Sequence, residues 1–364
     1  MAQDIEQMNL LTRYLGREIY ASIALVFAAL ILLFAFLDLI HEMNVMQGQY
    51  GIGYVLMFVL LTIPGHVYEL FPVAVLIGTI VALVHLAGNS ELTIYRASGA
   101  SLQDMLLALV KIGIPLVILS FICGELIAPP SEEIAQKLRL KAQNTQVSLQ
   151  TFRSGVWIKD EQSFVNIKHV QADTNLVDIS IYQFDKTYHL STITNAKAGR
   201  FIRTGAWALD DVNETTFDPK GTVIHNSKTK IWYSSLNPSI LNVLLVVPEQ
   251  MSASDLHEYA GHLRDNHQQS ARYEIAMWNK IVYPFAVLVM MVLALPFAGH
   301  QHRSGGVSTK IFLGIVLGLA FHFIGRLFAS IGALNDWQPF LSATAMTGLF
   351  LLMGLGMLWW TERR

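Results

Sequence analysis

Runs of about twenty apolar residues constrain a chain more than any other feature of its sequence, because a bilayer accepts backbone only as helices or closed barrels. Five such runs stand here, at roughly Ile19 to Ile40, Met105 to Ala128, Ile281 to Gly299, Ile311 to Ile331 and Phe340 to Trp360. A sixth, Ile52 to Gly88, has 37 residues and as one helix would be about 55 Å long. It is interrupted by Pro64, Gly65, His66, Glu69 and Pro72. Length alone leaves open one span with an interfacial lead-in, or two.

Loop charge separates these, since short cytoplasmic loops collect Lys and Arg. With one span, the side of the N-terminus carries Arg13, Arg17, Arg96, Arg303, Lys310, Arg363 and Arg364, and the short loops 41–53 and 332–339 carry no Lys or Arg. Two spans would invert everything downstream and scatter these residues over both sides. Six spans with both termini cytoplasmic is the better expectation, and Trp337, Trp359 and Trp360 stand where interfacial aromatics belong. The first run starts too late and runs too long for a cleavable signal, so it reads as a retained span.

Composition agrees: 53% of residues are hydrophobic and 14% charged, against about a quarter charged in soluble chains. The charges are segregated, with 29 of the 52 between Ser131 and Ser270 and only Asp38, Glu42 and Glu69 between Ile19 and Gly88. A net charge of −2 gives no electrostatic case for nucleic acid, and the single Cys123 excludes an internal disulfide framework.

The charged stretch changes period. Ser163 to Val170, Leu176 to Phe184, Leu190 to Ala196 and Ile240 to Val247 are alternating or β-branched, with turn signals at 172–175, 218–221 and Asn237-Pro238. Many short strands predict a sandwich or jelly roll outside the cytoplasm, with Val165, Ile167, Ile179, Ile181 and Ile193 on its inward face. After Pro248 the pattern is helical, with Ser252 as N-cap and Asp255 three residues on. The expected architecture is an α-helical integral membrane protein of six transmembrane helices with an inserted periplasmic β-jelly-roll-like domain. Residues 1–128 hold spans one to three, 129–272 the periplasmic domain and its flanking helix, and 273–364 spans four to six.

No catalytic residue is expected. His257-Glu258 and His262 resemble a zinc-protease signature, but histidines five apart stand about 140° apart around a helix, so no metal site is expected either. No phosphate-binding loop G-x-x-x-x-G-K-[ST] occurs, so ATP would be bound by a partner subunit and this chain carries no cofactor of its own. Gly314, Gly318, Gly325 and Gly332 keep near one face of the fifth span, suited to close helix packing or a lateral gate, within the chain or against another subunit. Asp38, Glu125 and Arg326 fall towards the outer helix ends, where ionisable groups need a partner or a function.

Asn89-Ser-Glu-Leu-Thr-Ile-Tyr-Arg-Ala-Ser-Gly99, a polar link after the second run, resembles the coupling helix of the LptF/LptG permease family. Leu11-Thr-Arg-Tyr-Leu-Gly16, Phe71-Pro72 and Gly124-Glu-Leu-Ile-Ala-Pro129 agree with it, and the Tyr-Arg-Ala-Ser-Gly wording with the Gly-Glu-x-x-Ala-Pro turn is most like the LptG branch. The resemblance implies a non-catalytic permease subunit of an ABC-type exporter in the bacterial inner membrane. Such a subunit works with an LptF-like permease, an LptB-like ATPase dimer and an LptC-like periplasmic or bitopic protein, and carries lipopolysaccharide. A helix over about 89–100 would then seat on the ATPase through Glu91, Leu92, Tyr95, Arg96, Ala97 and Gly99, with Asn89 or Ser90 capping its start.

One departure stands out: the family bears basic residues near the outer end of the first helix, but no Lys or Arg lies between Arg17 and Arg96 here. Arg326 with Lys137, Arg139 and Lys141 are the basic candidates for lipid phosphates. Two other function classes compete, an ion-driven secondary transporter, for which no inverted repeat is visible, and a membrane-anchored assembly protein acting through its outer domain.

Overall fold

The computed structural model describes residues 2–46, 50–97, 101–142, 147–148, 156–160, 162–170, 175–185, 187, 189–218, 221–234, 236, 247–298 and 307–363. Among them six helices are long and apolar enough to cross a membrane. Helix α1 covers Ala2–Asn44 and α2 covers Ile52–Gly88. The short α3, Glu91–Ala97, follows. The third span joins α4, Leu102–Ile122, through a π-helical turn at Cys123–Ile127 to α5, Ala128–Ala142. After the β-domain come α6, Ala253–Asp265, and a fourth span made of α7, Ala271–Val282, and α8, Ala286–Ala294, each followed by a 3-10 turn. Helices α9, Val307–Leu334, and α10, Pro339–Glu362, complete the bundle.

The long sixth run is one helix, with Pro64 and Pro72 inside it. A proline removes a ladder bond, and in a membrane the neighbours must re-satisfy freed backbone groups. The carbonyls freed here are those of Leu60 and Tyr68, four residues before each proline. Side-chain donors from the third and fourth spans reach neighbouring carbonyls: Cys123 Sγ lies 3.5 Å from that of Pro64, and the Tyr283 hydroxyl donates to that of Glu69 at 2.5 Å. Helix α2 is also the axis of the bundle, packed against α1, α5, α8 and α9. From Leu70 to Val84 nearly every side chain is buried, whereas Ile52 to Glu69, the half beside α5, mixes exposed and half-buried side chains with a few buried ones. At Gly78 a Cβ would lie 2.6 Å from the Ile23 Cα, so only glycine lets α1 approach that closely.

The inserted domain is a seven-stranded antiparallel sheet in which β3 to β7 follow one another as neighbours. Its strands are β1 Val147–Ser148, β2 Val156–Asp160, β3 Ser163–Val170, β4 Leu176–Phe184, β5 Leu190–Arg203, β6 Ala206–Asp218 and β7 Gly221–Tyr233. Both β1 and β2 pair with β3. Val165, Ile167, Ile179 and Ile181 sit in a closed core with Trp207, Leu209 and Leu236, and Ile193 is half-buried. The Trp207 indole donates to the Leu236 carbonyl at 2.9 Å, satisfying the one polar atom that so large a buried ring carries. The opposite face carries exposed ion pairs such as Lys197 with Asp211 at 3.2 Å. The strand expected at 240–247 lies outside the described residues except for Val247, while β6 and β7 were not foreseen.

Candidate functional site

The polar link does form a helix, α3, and its geometry corrects one expectation. Residues one apart on a helix are 100° apart, so Leu92 cannot share a face with Glu91; the residues that can are three and four on. Leu92 points inward, 8% exposed, into the apolar cluster that holds Leu15, Leu86 and Met105, where it fastens α3 to the spans. It is therefore not a surface contact for a partner. Ile94, three residues from Glu91, is exposed instead, at 66%. The Glu91 carboxylate accepts from the Tyr14 hydroxyl of α1 and from Asn89 Nδ2 at 3.4 Å. Asn89 thus steadies Glu91, and Ser90, with φ of +62°, makes the left-handed turn into the helix. Ala97 is exposed at the end of α3, while Gly99 and the side chains of Tyr95 and Arg96 lie outside the described residues.

The glycines of α9 pack within the chain. A Cβ at Gly314 would lie 2.7 Å from Ile80 and one at Gly318 2.7 Å from Val73, both on α2. Gly325 and Gly332 instead admit Met346 and Ser342 of α10. The opposite side of α9 is open, with Phe312, Leu319, Phe323 and Leu327 exposed, while Phe321 is buried in the core.

On that open side lies a charged constellation. Glu69, from the half-buried part of α2, places one carboxylate oxygen 2.8 Å from Arg326 Nη2 and 3.0 Å from His322 Nε2. His322 and Arg326 are one turn apart on α9, which is why both reach the same oxygen. The Arg326 side chain is 72% exposed and that of Glu69 40%. On the α1 side of α2, Asp38 meets His66 at 2.5 Å and accepts from the Thr62 hydroxyl at 3.4 Å. Where the family resemblance leads one to expect basic residues, this chain has a carboxylate turned towards α2.

The stretch after the third span is also partnered. Arg139 lies 3.4 Å from Glu42, which is 2% exposed and accepts from the Tyr50 hydroxyl at 2.8 Å, and its guanidinium covers the Phe58 ring at 5.5 Å. Burial, then the hydrogen bond to Glu42, pushes the Tyr50 pKa up, so the phenol stays a donor. Lys137 pairs with Glu133 at 2.5 Å, one turn back, and Lys141 is exposed at the end of α5.

A second polar node joins spans to domain. Both Glu125 oxygens, on the π-helical turn, accept from the Ala253 N–H at 3.0 and 2.9 Å and so cap α6 at its first residue. Ser252 caps the same helix by accepting from the Asp255 N–H, as its sequence foretold. Beneath, Lys280 is 6% exposed, lies 4.8 Å from the Tyr68 ring and feels the Glu125 charge. No group of three or more His, Cys, Asp or Glu able to hold a metal ion occurs among the described residues.

Comparison with known proteins adds the last observation. A family model described as "Lipopolysaccharide export system permease LptF/LptG" matches residues 13–360. The lipopolysaccharide export system permease protein LptG of Haemophilus influenzae is 32% identical over 359 residues, covering 98% of this chain and 99% of that protein. The protein of the same name from Escherichia coli K12 is 31% identical over 357 residues, covering 97% and 99%.

Proposed function

The chain belongs to the lipopolysaccharide export permease family LptF/LptG, and from that premise we propose that it is the LptG-type subunit of an ATP-driven exporter that draws lipopolysaccharide from the bacterial inner membrane and passes it to a periplasmic bridge. It is a transport component rather than an enzyme. The observation that carries the reading is the match over residues 13–360 on a chain whose described residues hold six candidate spans and an inserted β-domain. The finer assignments are the proposal's own. ATP hydrolysis falls to an LptB-like ATPase dimer, against which α3 seats through Glu91, Ile94 and the residues to 99. An LptF-like subunit completes the membrane part, and an LptC-like protein receives the lipid. Both termini and α3 face the cytoplasm, and the β-domain faces the periplasm, as the loop charges favour.

Lipopolysaccharide combines several acyl chains with phosphorylated sugars. Its extraction needs an apolar lateral passage and cations at headgroup level. The exposed apolar faces of α1 and α9 supply the first, and Arg326 the second, because a guanidinium binds phosphate through two parallel donors. Arg139 and Lys137 already hold carboxylates of this chain, so within the basic stretch Lys141 is the residue most open to the lipid. Affinity purification in mild detergent should recover a homologous permease, an ATPase and lipopolysaccharide together. Recovery of the intact chain with neither ATPase nor lipopolysaccharide would overturn the assignment.

A further inference from the structure

Two donors on α9 converge on one point. Arg326 Nη2 and His322 Nε2 stand 2.8 and 3.0 Å from the same oxygen of Glu69, which is the way two groups would share one oxygen of a phosphate. The pair is not a buried structural bridge, since the Arg326 side chain is 72% and the Glu69 side chain 40% exposed. Its surroundings are equally telling. Leu319, Phe323 and Leu327 are exposed on α9 around it, and a guanidinium facing acyl chains there is costly. Something with matching charge has to visit this face, and until it does a carboxylate of the chain itself holds the donors.

We propose that Glu69 is an internal competitor for a phosphate group of the transported lipid: it occupies Arg326 and His322 while the site is empty, yields them to the phosphate, and helps to expel it on returning. The proposal rests on the lipopolysaccharide reading above and names a residue that sets affinity within it. A phosphate monoester carries about −1.5 to −2 charges and three acceptor oxygens, against one charge and two oxygens for the carboxylate, so it wins when the headgroup is delivered to the site. A resident competitor lowers apparent affinity by the fraction of time the donors are free. The effect suits an exporter, which must release what it binds.

The test uses the purified complex in detergent, comparing wild type, Glu69→Gln, Arg326→Gln and the double variant, with purified lipopolysaccharide and its enzymatically dephosphorylated form as probes. Glu69→Gln keeps the shape and removes the charge. It should bind lipopolysaccharide about three- to tenfold more tightly and release it correspondingly more slowly, because the donors are no longer claimed by a neighbouring anion. Arg326→Gln should weaken binding, and the double variant should gain much less over Arg326→Gln than Glu69→Gln gains over wild type, since only His322 is then left for Glu69 to claim. Glu69→Asp, which restores the charge, should lie nearer wild type than Glu69→Gln. All differences should vanish with the dephosphorylated lipid. Inorganic phosphate in large excess should leave lipid retention unchanged in every variant; displacement by it would identify a free-anion site and overturn the headgroup assignment. Weaker or unchanged binding in Glu69→Gln, with lipopolysaccharide still bound in an Arg326-dependent way, would overturn the inference alone. Absence of lipopolysaccharide binding from all five proteins would overturn the underlying functional reading as well.

Discussion

Replacing Glu125 by Ala should loosen the joint between the third span and the β-domain. The wild-type carboxylate accepts from the Ala253 N–H with both oxygens, at 3.0 and 2.9 Å, and so ties the π-helical turn to the start of α6. A hydrogen bond to a charged group is worth about 1.5–3 kcal/mol and an N-terminal cap about 1, overlapping here because they are the same bond. Lys280, 6% exposed, also loses the negative charge that offsets its burial. A cost of about 2–3 kcal/mol follows, the upper part of what a charged hydrogen bond brings, because the offset to the buried Lys280 is lost as well. Glu125→Gln keeps an acceptor and should cost about half as much. Equilibrium denaturation in mixed micelles measures both. The decisive comparison is the double variant Glu125→Ala, Lys280→Met. If the two side chains are coupled as the geometry indicates, the second change should recover about 1 kcal/mol of the first. Strict additivity, or a Glu125→Ala variant within about 0.5 kcal/mol of wild type, would refute the reasoning.

Three further outcomes are expected. In a Cys123→Ser background, Asn175→Cys should react with an impermeant thiol reagent from the periplasmic side and Ser304→Cys should not; equal labelling would remove the proposed orientation. Glu91→Arg, and to a smaller degree Ile94→Ala, should weaken ATPase association and export together, whereas Leu92→Ala should lower stability by about 2–4 kcal/mol through a cavity in the spans; intact association in Glu91→Arg would make α3 a mere connector. Arg139→Gln should destabilise the chain by about 3 kcal/mol, because it takes from the buried Glu42 carboxylate the cation it pairs with and leaves it the Tyr50 hydroxyl; a change confined to lipid binding would show that Arg139 serves the lipid instead.

Where the sequence was legible, a local rule governed the outcome. The six spans follow from run length and loop charge, the α6 cap from Ser252 and Asp255, and strands β3 and β4 from strict alternation, with bounds matching those observed. Strands β6 and β7 escaped because residues such as Asp210, Asn213, Glu214, His225 and Lys230 give them little apolar alternation. Their backbone is fixed by the ladders of β6 with β5 and of β7 with β6, where polar side chains pair across the strands. The Glu69 constellation was invisible for another reason. Its partners lie 257 residues apart in sequence, and no periodicity links α2 to α9. Arg326 drew attention as an ionisable group in a span; Glu69 was read as an interruption of the long run rather than as its partner. The misplacement of Leu92 was avoidable, since a helical wheel already separates it from Glu91.

The least buried spans, α1 and α9, show how little apolar exposure alone says in a membrane, and what a charge adds. Only 11% of the most apolar window of α1 and 17% of that of α9 is buried, against 83% for α2 between them. Acyl chains solvate leucine and phenylalanine as well as another helix does, so Leu25, Leu32 and Phe36 on α1 are as content in lipid as at a subunit junction. The charges break this symmetry. Asp38 of α1 turns to His66 of α2, and that charge pair leaves the exposed apolar stripe of α1 free of ionised groups. Arg326 of α9 also finds a carboxylate on α2, yet most of its side chain stays exposed among Phe323 and Leu327. Because an exposed guanidinium is expensive in hydrocarbon, the surroundings that α9 is built for are polar on one side, and those of α1 need not be. Substituting Leu37 by Arg on the exposed stripe of α1 tests the distinction. If the stripe faces acyl chains, insertion or stability should suffer, though by less than the roughly 2.5–3.5 kcal/mol of a helix centre because Leu37 lies towards the outer end, while Leu327→Arg, beside Arg326, should cost clearly less in the assembled complex. Equal penalties at the two positions would mean that α9 meets the same lipid as α1 and that Arg326 only reaches for the interface.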